Sequence, residues 1–475
     1  MFNFTLAEVA TIVGGKVFGD SSIIVTGVST DSRSIENGDL FCAIVGERTD
    51  GHECVEQAIA SGASATLATK PVLGNYILIP ATSDPLDSVI LAVGLIAQAQ
   101  RVKLVDVSVI GITGSSGKTS TKDMIGQVLS THGTTQAPAG SPNNELGMPL
   151  TILSAPKDTE YLVLEMGMRG FGHIEYLCNI AKPNIGVVTN VGQAHIGEVG
   201  SVSGIAKAKG ELIESLPRSG FAVLNADDDL VFKMQELTLA KIVTYGFSER
   251  ADVRGDNLAI TGDGSYTFDL CFEGIRVAAK LPMLGEHNVS NALAATSVGL
   301  ISGMSLTEIA IALEHTKQIS KWRMEVHNLP QGVLLINDAY NANPESMAAA
   351  LKTLTNIPRK GRTWAVLGAM HELGDVAEAE HNRIGRLAVA LDVSHIVSIG
   401  DQAKSIHAGA TQEGSSHGKS VWYPDFTQAA DYIVNEIQPG DVIIFKASRA
   451  EKFEVLAQDI EAQLIAGWSS KGSSQ

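Results

Sequence analysis

The sequence has few of the residues that hold small secreted or zinc-stabilised proteins together. It contains 4 cysteines in 475 residues, and none of them form a Cys-x-x-Cys pair. A disulfide framework or a structural zinc site usually shows closely spaced thiols, so neither is expected. This cysteine usage fits a reducing compartment, and the predicted location is cytoplasmic.

Positive charge and long apolar runs are also scarce. Lys and Arg total 35 against 52 Asp and Glu, which gives a net charge of -17. Such a chain is not expected to bind nucleic acid or anionic lipid nonspecifically, so any anionic ligand needs a local binding site. The most apolar helix candidate, residues 87–100, is too short to span a bilayer, and the N-terminus lacks a signal-peptide pattern. We therefore expect a soluble protein without membrane insertion.

The length and the spacing of apolar runs indicate three domains, because one core rarely holds 475 residues. Residues 1–103 combine short strands with helical stretches, which predicts a small mixed α/β domain. Residues 104–320 alternate near-continuous apolar runs with helical segments and predict a central parallel sheet covered on both faces. Residues 321–475 repeat this alternation and predict a Rossmann-like domain. The predicted fold class is therefore α/β.

The strongest local signal is GITGSSGKTSTKD at residues 111–123, after the first apolar run of the central domain. A glycine-rich turn between a strand and a helix presents backbone N–H groups to phosphate oxygens. The spacing is T-G-x-x-G-K-T, shorter than the strict P-loop pattern, and it indicates a nucleoside triphosphate site without specifying the reaction. The residues predicted to bind the nucleotide here are Thr113, Gly114, Ser115, Ser116, Gly117, Lys118 and Thr119.

Further charged and ligand-type residues follow the next apolar runs. Glu165 ends one run and His195 follows another, at the strand ends where doubly wound sheets bind ligands. Lys207 and Lys209 lie near the start of a helical segment, residues 204–216, where the helix dipole disfavours cations. Ordinary explanations stay open: an exposed carboxylate, a surface histidine and a solvated helix face.

An ordered set of motifs across most of the chain resembles the Mur ligase family, the ATP-dependent amide-forming enzymes of peptidoglycan assembly. The motifs are TGSSGKTSTKD, SPNNELGMPLT (141–151), LEMGMRGFGHI (164–174), TNVGQAHI (189–196), AKAKGE (206–211), GEHNVSNALAA (285–295), WRMEV (322–326) and DAYNANPES (338–346). The resemblance implies an N-terminal domain that binds the UDP end of the substrate, a central ATPase domain and a C-terminal domain that closes over the site.

The resemblance also implies the chemistry. Family members transfer the γ-phosphoryl group of ATP to a carboxylate, and an amine then attacks the acyl phosphate. By this analogy Thr119 and Glu165 hold one Mg²⁺, and His195 with a carbamylated lysine holds a second. The motif AKAKGE assigns the carbamate to Lys209, with Lys207 as the alternative. The implied catalytic residues are Lys118, Glu165, His195, Lys209 and Arg323.

Nucleotide and substrate contacts follow from the resemblance in the same way. Asn288 and Asn291 match residues that contact adenine, although Asn288 is also a candidate helix N-cap. Arg323, Asp338 and Asn341 match residues that contact ATP from the C-terminal side. The residues assigned to the UDP-sugar-peptide substrate are Ser29, Thr30, Asp31, Ser32, Arg33, Gly46, Asp50, Asn144 and Thr151, with His52 and Asn143 nearby.

Within the family, residues 29–52 and 338–346 resemble members that join D-alanyl-D-alanine to UDP-N-acetylmuramoyl-tripeptide. The D-N-P-R signature of the diaminopimelate-adding branch is absent. The segment GAMHELGD (368–375) departs from the family pattern, so it assigns no dipeptide contacts. Two alternatives stay open: a relative with another acceptor, and a nucleotide-dependent switch that ligates nothing. One chain suffices for the implied site, so a monomer is expected.

Overall fold

The computed structural model describes residues 3–46, 49–82, 86–192, 196–358, 361–414 and 418–472. Three main sheets follow one another along the chain, and each falls inside one of the three predicted domains. This architecture confirms the α/β fold class. The domain limits at residues 103 and 320 stay predictions.

The N-terminal sheet is small and mixed. Its helices are α1 (Leu6–Val13), α2 (Val55–Ala60) and α3 (Ser88–Lys103), with a 3-10 turn at Gly51–Cys54. Its strands are β1 (Phe4–Thr5), β2 (Lys16–Phe18), β3 (Ile24–Val25), β4 (Gly27–Ser29), β5 (Asp39–Cys42), β6 (Ala65–Ala68) and β7 (Tyr76–Leu78). The order is β2-β7-β6-β5-β4, with β1 and β3 paired separately. Because β4, β5 and β6 are parallel, the loops that follow them lie at one edge of the sheet.

The central sheet has the order β16-β15-β14-β13-β12-β11-β8-β10-β9. Its strands are β8 (Ser108–Thr113), β9 (Thr135–Gln136), β10 (Tyr161–Glu165), β11 (Ile185–Val188), β12 (Phe221–Asn225), β13 (Lys241–Gly246), β14 (Val253–Ile260), β15 (Tyr266–Phe272) and β16 (Ile275–Leu281). Its helices are α4 (Lys118–Ser130), α5 (Gly147–Leu153), α6 (His173–Ala181), α7 (Ile196–Val199), α8 (Val202–Glu214), α9 (Asp229–Phe232), α10 (Glu286–Ile301) and α11 (Leu306–Glu314), with a 3-10 turn at Lys233–Leu237. The strands β8 to β14 run parallel, and β15 and β16 add an antiparallel hairpin.

Both faces of the central sheet are buried, which explains its near-continuous apolar strands. In β10, Leu162 and Leu164 pack into one core while Val163 between them packs into the other. The first core continues into the N-terminal domain through α3, which also packs against α5 and α6. The carboxyl ends of the parallel strands, at Thr113, Glu165 and Val188, therefore meet at one buried edge of the sheet.

The C-terminal sheet has the order β17-β18-β22-β19-β20-β21, parallel except for β17. Its strands are β17 (Glu325–Asn328), β18 (Leu334–Asn337), β19 (Thr363–Leu367), β20 (His395–Ile399), β21 (Lys419–Tyr423) and β22 (Val442–Lys446). Its helices are α12 (Pro344–Asn356), α13 (Ala377–Ala390), α14 (Lys404–Glu413), α15 (Phe426–Glu436) and α16 (Phe453–Gly472), with 3-10 turns at Pro330–Gly332, Gly374–Val376 and Arg449–Glu451. No helix among the described residues is long and apolar enough to cross a membrane.

Candidate active site

The glycine-rich turn and the first residues of α4 form one wall of a cavity of about 310 Å³. The turn is held from the next loop: Asn190 accepts hydrogen bonds from the backbone N–H groups of Ser115 (3.0 Å) and Ser116 (2.9 Å). No side chain among the described residues caps the N-terminus of α4. Its first N–H groups therefore face the cavity, where they can bind an anion.

Two glycines of the turn could not carry a side chain. Gly114 has φ +152, and a Cβ there would come within 1.8 Å of the Thr189 hydroxyl. Gly117 has φ +78, and its Cβ would lie 2.8 Å from the Asn291 side-chain oxygen. The close approach of α10 and the loop after β11 to this turn thus explains why the motif needs glycine at both positions.

Glu165 lies at the centre of a buried polar cluster beside the turn. Its Oε2 accepts a hydrogen bond from Thr119 Oγ1 at 2.7 Å, and its Oε1 accepts from Ser141 Oγ at 2.6 Å and Asn143 Nδ2 at 2.8 Å. Burial alone would raise the pKa of Glu165, but the charges of Lys118 and Arg323 and the hydrogen bonds outweigh it and hold the pKa below its usual value. The carboxylate is therefore ionised and surrounded by oxygen donors of the kind that Mg²⁺ prefers.

Lys118 and Arg323 bring two cations to this cavity from different domains. Lys118 Nζ donates to the Gly114 carbonyl at 2.7 Å, and burial lowers its pKa while Glu165 opposes that shift. The Arg323 guanidinium stacks on the Tyr340 ring at 4.0 Å, and its buried Nε has no hydrogen-bond partner among the described residues. Two cations that line one cavity suit a polyphosphate ligand.

The backbone around Arg323 is strained on both sides. Trp322 has φ +59 and Met324 has φ +52, and both are in the left-handed region that residues with side chains rarely adopt. Hydrogen bonds hold this conformation: Tyr340 N–H donates to the Trp322 carbonyl (3.0 Å), and Met324 N–H donates to Asp338 Oδ1 (3.0 Å). Strain of this kind persists where the surroundings fix it, and it frequently marks a ligand site.

Asp338 forms a buried ion pair with Lys446 at the end of β22. Lys446 Nζ lies 2.6 Å from Asp338 Oδ2 and also donates to the Asn341 carbonyl at 3.0 Å. All three residues line the cavity of about 310 Å³ beside the glycine-rich turn, which is the candidate nucleotide cavity. Lys446 therefore links Asp338 and Asn341, the two residues that the sequence assigned to ATP. No role was assigned to Lys446 itself from the sequence, although this lysine ends a strongly apolar run.

Replacing Lys446 by Met is expected to lower the free energy of unfolding by about 3 kcal/mol, because it leaves the buried Asp338 carboxylate unpaired. The double variant Asp338→Asn/Lys446→Met removes both charges and is expected to recover much of that loss. Urea unfolding of the two variants and the wild type measures the difference. Equal losses in the single and double variants would show that the ion pair is not what stabilises this region.

Asn288 and Asn291 lie on α10 with buried amides that line the same cavity. Asn288 Nδ2 donates to the Leu284 carbonyl (2.8 Å), and Asn291 Nδ2 donates to Asn288 Oδ1 (3.1 Å). The alternative that Asn288 caps the helix is wrong, because α10 begins at Glu286 and its N-cap is Gly285. Asn291 also accepts from Thr121 of α4, so this amide pair links the two helices that border the cavity.

The two candidate lysines of α8 differ sharply in environment. Lys209 is buried, and no hydrogen bond or ion pair joins it to the residues that the structure describes. Burial, with a smaller contribution from Lys118, holds its pKa well below the usual value. Lys207 is exposed and lies 5.5 Å above the Phe171 ring.

Both lysines lie beyond the first turn of α8, which begins at Val202. The helix dipole acts within the first turn, so the dipole argument for an unfavourable cation was wrong here and burial takes its place. His195 lies outside the described residues. Among the described residues no group of three or more His, Cys, Asp or Glu side chains could hold a metal ion.

The residues assigned to the UDP end lie together at the loop edge of the N-terminal sheet, after β4 and β5. Arg33 binds both carboxylate oxygens of Asp31 and lowers its pKa to about 2. Asp50 binds His52 (2.6 Å) and Lys70 (2.7 Å). The other residues of this edge are Ser29, Thr30, Ser32, which donates to Gln57, and Gly46.

The helix α5, which carries Thr151, packs against β4 and so lies next to this sheet, whereas Asn144 precedes that helix. Asn144 Oδ1 accepts from the backbone N–H groups of Leu146 and Gly147 at the start of α5. Thr151 is buried, and its hydroxyl donates to the Gly147 carbonyl of the same helix. The structure thus brings Asn144 to a cavity but uses the Thr151 hydroxyl inside its own helix.

The C-terminal domain touches the glycine-rich turn directly. Asn343 Nδ2 donates to the Ser115 carbonyl at 3.3 Å, and a Cβ built on Gly192 would come within 2.5 Å of Glu345. The cavity is therefore enclosed by residues of both domains. The short segment 338–343, which carries the motif DAYNAN, contributes half of the C-terminal residues that line the cavity.

Comparisons with known proteins agree with this arrangement. The Mur ligase middle-domain family matches residues 112–299, the Mur ligase glutamate ligase domain matches residues 322–449, and the Mur ligase family catalytic domain matches residues 24–90. A protein of Mycobacterium tuberculosis named UDP-N-acetylmuramoyl-tripeptide--D-alanyl-D-alanine ligase is 41% identical over 98% of this chain and 99% of its own length. The chain belongs to the Mur ligase family.

Solved structures of Mur ligases share the whole architecture. A crystal structure of MurF from Acinetobacter baumannii is 32% identical, covers 97% of this chain and 99% of its own, and has a TM-score of 0.87. A MurF ligase of Thermotoga maritima, crystallised in complex with ADP, is 27% identical, covers 93% of this chain and 98% of its own, and has a TM-score of 0.80. The Mur ligase fold therefore extends over almost the entire chain.

Proposed function

We propose that this Mur ligase joins D-alanyl-D-alanine to UDP-N-acetylmuramoyl-tripeptide with ATP, through an acyl phosphate. The observation that carries the proposal is the single cavity in which Lys118, Glu165, Arg323 and Asp338 meet from two domains. The near full-length identity to ligases named for this reaction supports the choice of substrates. The nucleotide product is the pentapeptide precursor of peptidoglycan.

The roles of the residues follow from charge and position. Lys118, Arg323 and the first N–H groups of α4 bind the phosphates of ATP and neutralise charge as the γ-phosphoryl group moves to the substrate carboxylate. Asn288 and Asn291 bind adenine, and Asp338 and Asn341 bind the nucleotide from the C-terminal side. The contact between Asn343 and the glycine-rich turn helps to exclude water from the acyl phosphate.

Mg²⁺ fits the donors present. Thr119 and Glu165 would hold one ion, which would neutralise phosphate oxygens when bound. We assign a carbamate to Lys209, because its buried amine has no partner among the described residues and burial shifts it toward the neutral form that reacts with CO₂. With His195 this carbamate would hold a second ion. Because every residue of this site comes from one chain, the proposed functional unit is a monomer, in the cytoplasm where its substrates are made.

The decisive experiment measures ATP-dependent phosphate release with UDP-N-acetylmuramoyl-tripeptide, with and without D-alanyl-D-alanine. We expect release that requires the dipeptide, and a nucleotide product heavier by one dipeptide less water in mass spectrometry. The diaminopimelate and lysine forms of the tripeptide are tested in parallel, together with glutamate and lysine as control acceptors. Release that is indifferent to the dipeptide would refute this acceptor and leave the ATPase site in place.

A further inference from the structure

A cavity of about 330 Å³ adjoins the nucleotide cavity and shares Lys118 and Asn143 with it. Most of its wall comes from the central domain, including Arg169 and His173, whereas Glu372 reaches it from the C-terminal domain. Glu372 also lines a cavity of about 420 Å³ inside the C-terminal domain. Glu372 is exposed and lines both of these cavities.

The loop that carries Glu372 is held in place on both sides. Met370 N–H donates to His381 Nε2 at 2.8 Å, and His371 N–H donates to Ser448 Oγ at 2.9 Å. Glu372 itself has φ +64, in the left-handed region. A side-chain-bearing residue keeps this conformation only where its surroundings fix it, and such residues cluster at ligand sites.

Glu372 also meets the central domain. Its backbone carbonyl lies close to Gly197 of α7, since a Cβ built on that glycine would be 3.6 Å away. Glu372 and Lys118 line the same cavity, one from each domain. Because this cavity shares Lys118 and Asn143 with the nucleotide cavity, it adjoins the place where the acyl phosphate would form.

The central-domain wall of the adjoining cavity carries Lys118, Arg169 and Glu198, whereas Glu372 is the one charged residue of its described lining that comes from the C-terminal domain. Lys118 and Arg169 of the central domain suit an anionic donor substrate. Glu372, from the opposite wall, suits a cation. In amide formation the incoming partner is an amine, and the α-amino group of a dipeptide is largely an ammonium near neutral pH.

We propose that Glu372 binds the α-ammonium group of the incoming dipeptide and places its nitrogen beside the acyl phosphate. The ammonium first loses one proton to solvent, and the neutral amine then attacks the acyl carbon. Phosphate leaves, and the second proton lost from the nitrogen passes to it or to solvent. This inference rests on the proposed function and assigns the acceptor subsite to the two cavities that Glu372 lines. A carboxylate and an ammonium form a charge-assisted hydrogen bond, which orients the nitrogen as well as attracting it.

The test compares Glu372→Gln and Glu372→Gly with Glu378→Gln in the full chain. Glutamine keeps the shape without the charge, and glycine tolerates the positive φ, so the two variants remove the carboxylate by different routes. Glu378 lines the cavity of about 420 Å³ in the C-terminal domain, which Lys118 does not line, and serves as the matched control. We expect both Glu372 variants to raise KM for D-alanyl-D-alanine by about 10- to 100-fold, with KM for ATP and for the tripeptide substrate within about twofold.

D-lactoyl-D-alanine carries a hydroxyl group in place of the ammonium. It therefore distinguishes a loss of ammonium binding from a change in the structure of the subsite. Its inhibition constant is expected to stay within about twofold in Glu372→Gln, because it lacks the group that the carboxylate binds. An unchanged dipeptide KM, or equal weakening of dipeptide and analogue, would overturn the assignment. Wild-type phosphate release that needs no dipeptide would instead overturn the proposed function, and this inference with it.

Discussion

Replacing Lys118 by Met is expected to lower kcat by about 10³-fold, the cost of removing one preorganised charge from a phosphoryl-transfer site. Lys118 and Arg323 both line the nucleotide cavity, and their charges lower the pKa of Glu165. Methionine fills a similar volume, so the packing of α4 against the turn should survive. The measurement is ATP-dependent phosphate release at saturating substrates.

The loss should not come from unfolding. Burial lowers the pKa of Lys118, which means that its charge is unfavourable in the folded protein before a ligand binds. Urea unfolding of Lys118→Met should therefore give a free energy of unfolding equal to or above that of the wild type. The control is Lys207→Met, which removes an exposed lysine from the same domain. A variant that keeps more than about a tenth of wild-type kcat would contradict this role of Lys118.

The same variant should change how stability depends on pH. In the wild type Glu165 has a pKa below its usual 4.5, so it contributes stability above that value, and the contribution is lost as pH falls through the lower folded pKa. Without Lys118 one of the two charges that lower this pKa is gone while burial remains. We expect Lys118→Met to lose stability at a higher pH than the wild type when acid unfolding is followed by circular dichroism.

Replacing Lys209 by Met is expected to reduce kcat by about 10³-fold, while Lys207→Met stays within about twofold. The reason is that, of these two lysines, only Lys209 is buried, and burial shifts its amine toward the neutral form, which reacts with CO₂. Native mass spectrometry in bicarbonate buffer should show one CO₂ added to the wild type and to Lys207→Met, and none on Lys209→Met. The added mass should disappear on acidification, because carbamates then release CO₂.

Stability offers an independent check on Lys209. Its folded pKa lies well below the usual 10.5, so between those two values the unfolded chain binds more protons than the folded one. The stability of CO₂-free protein should therefore rise with pH across that window and be fully restored only above about 10.5. In Lys209→Met this rise should be absent. A CO₂-free wild type whose stability is flat with pH would show that the lysine is not buried as a free amine.

Much of the site could be predicted because its residues are tied to local sequence. The turn at residues 113–119 needs glycine where neighbouring side chains come within contact distance. The glycine spacing in the sequence therefore indicates the turn. Glu165 was predictable because it ends a buried strand, and parallel strands bring their carboxyl ends to one edge. Apolar alternation likewise predicted the three sheets, since burial on both faces sets the composition of each strand.

Other features depend on contacts between distant segments. Lys446 and Asp338 are 108 positions apart, and only the neighbouring positions of β18 and β22 bring them together. The sequence could not separate Lys207 from Lys209, because exposure is decided by what packs on each side of α8. The sequence does not predict a role for Glu372, because nothing local shows that its loop lies against α7 and lines two cavities.

By itself the sequence determined the fold class, the order of the domains and the family, because these depend on periodicity and on motifs that each need only their own neighbours. The tertiary structure alone decided which lysine is buried, which cation holds Asp338 and which carboxylate faces Lys118 from the C-terminal domain. Burial and electrostatic partnership are properties of residues that meet in space, and a pattern along the chain does not contain those distances.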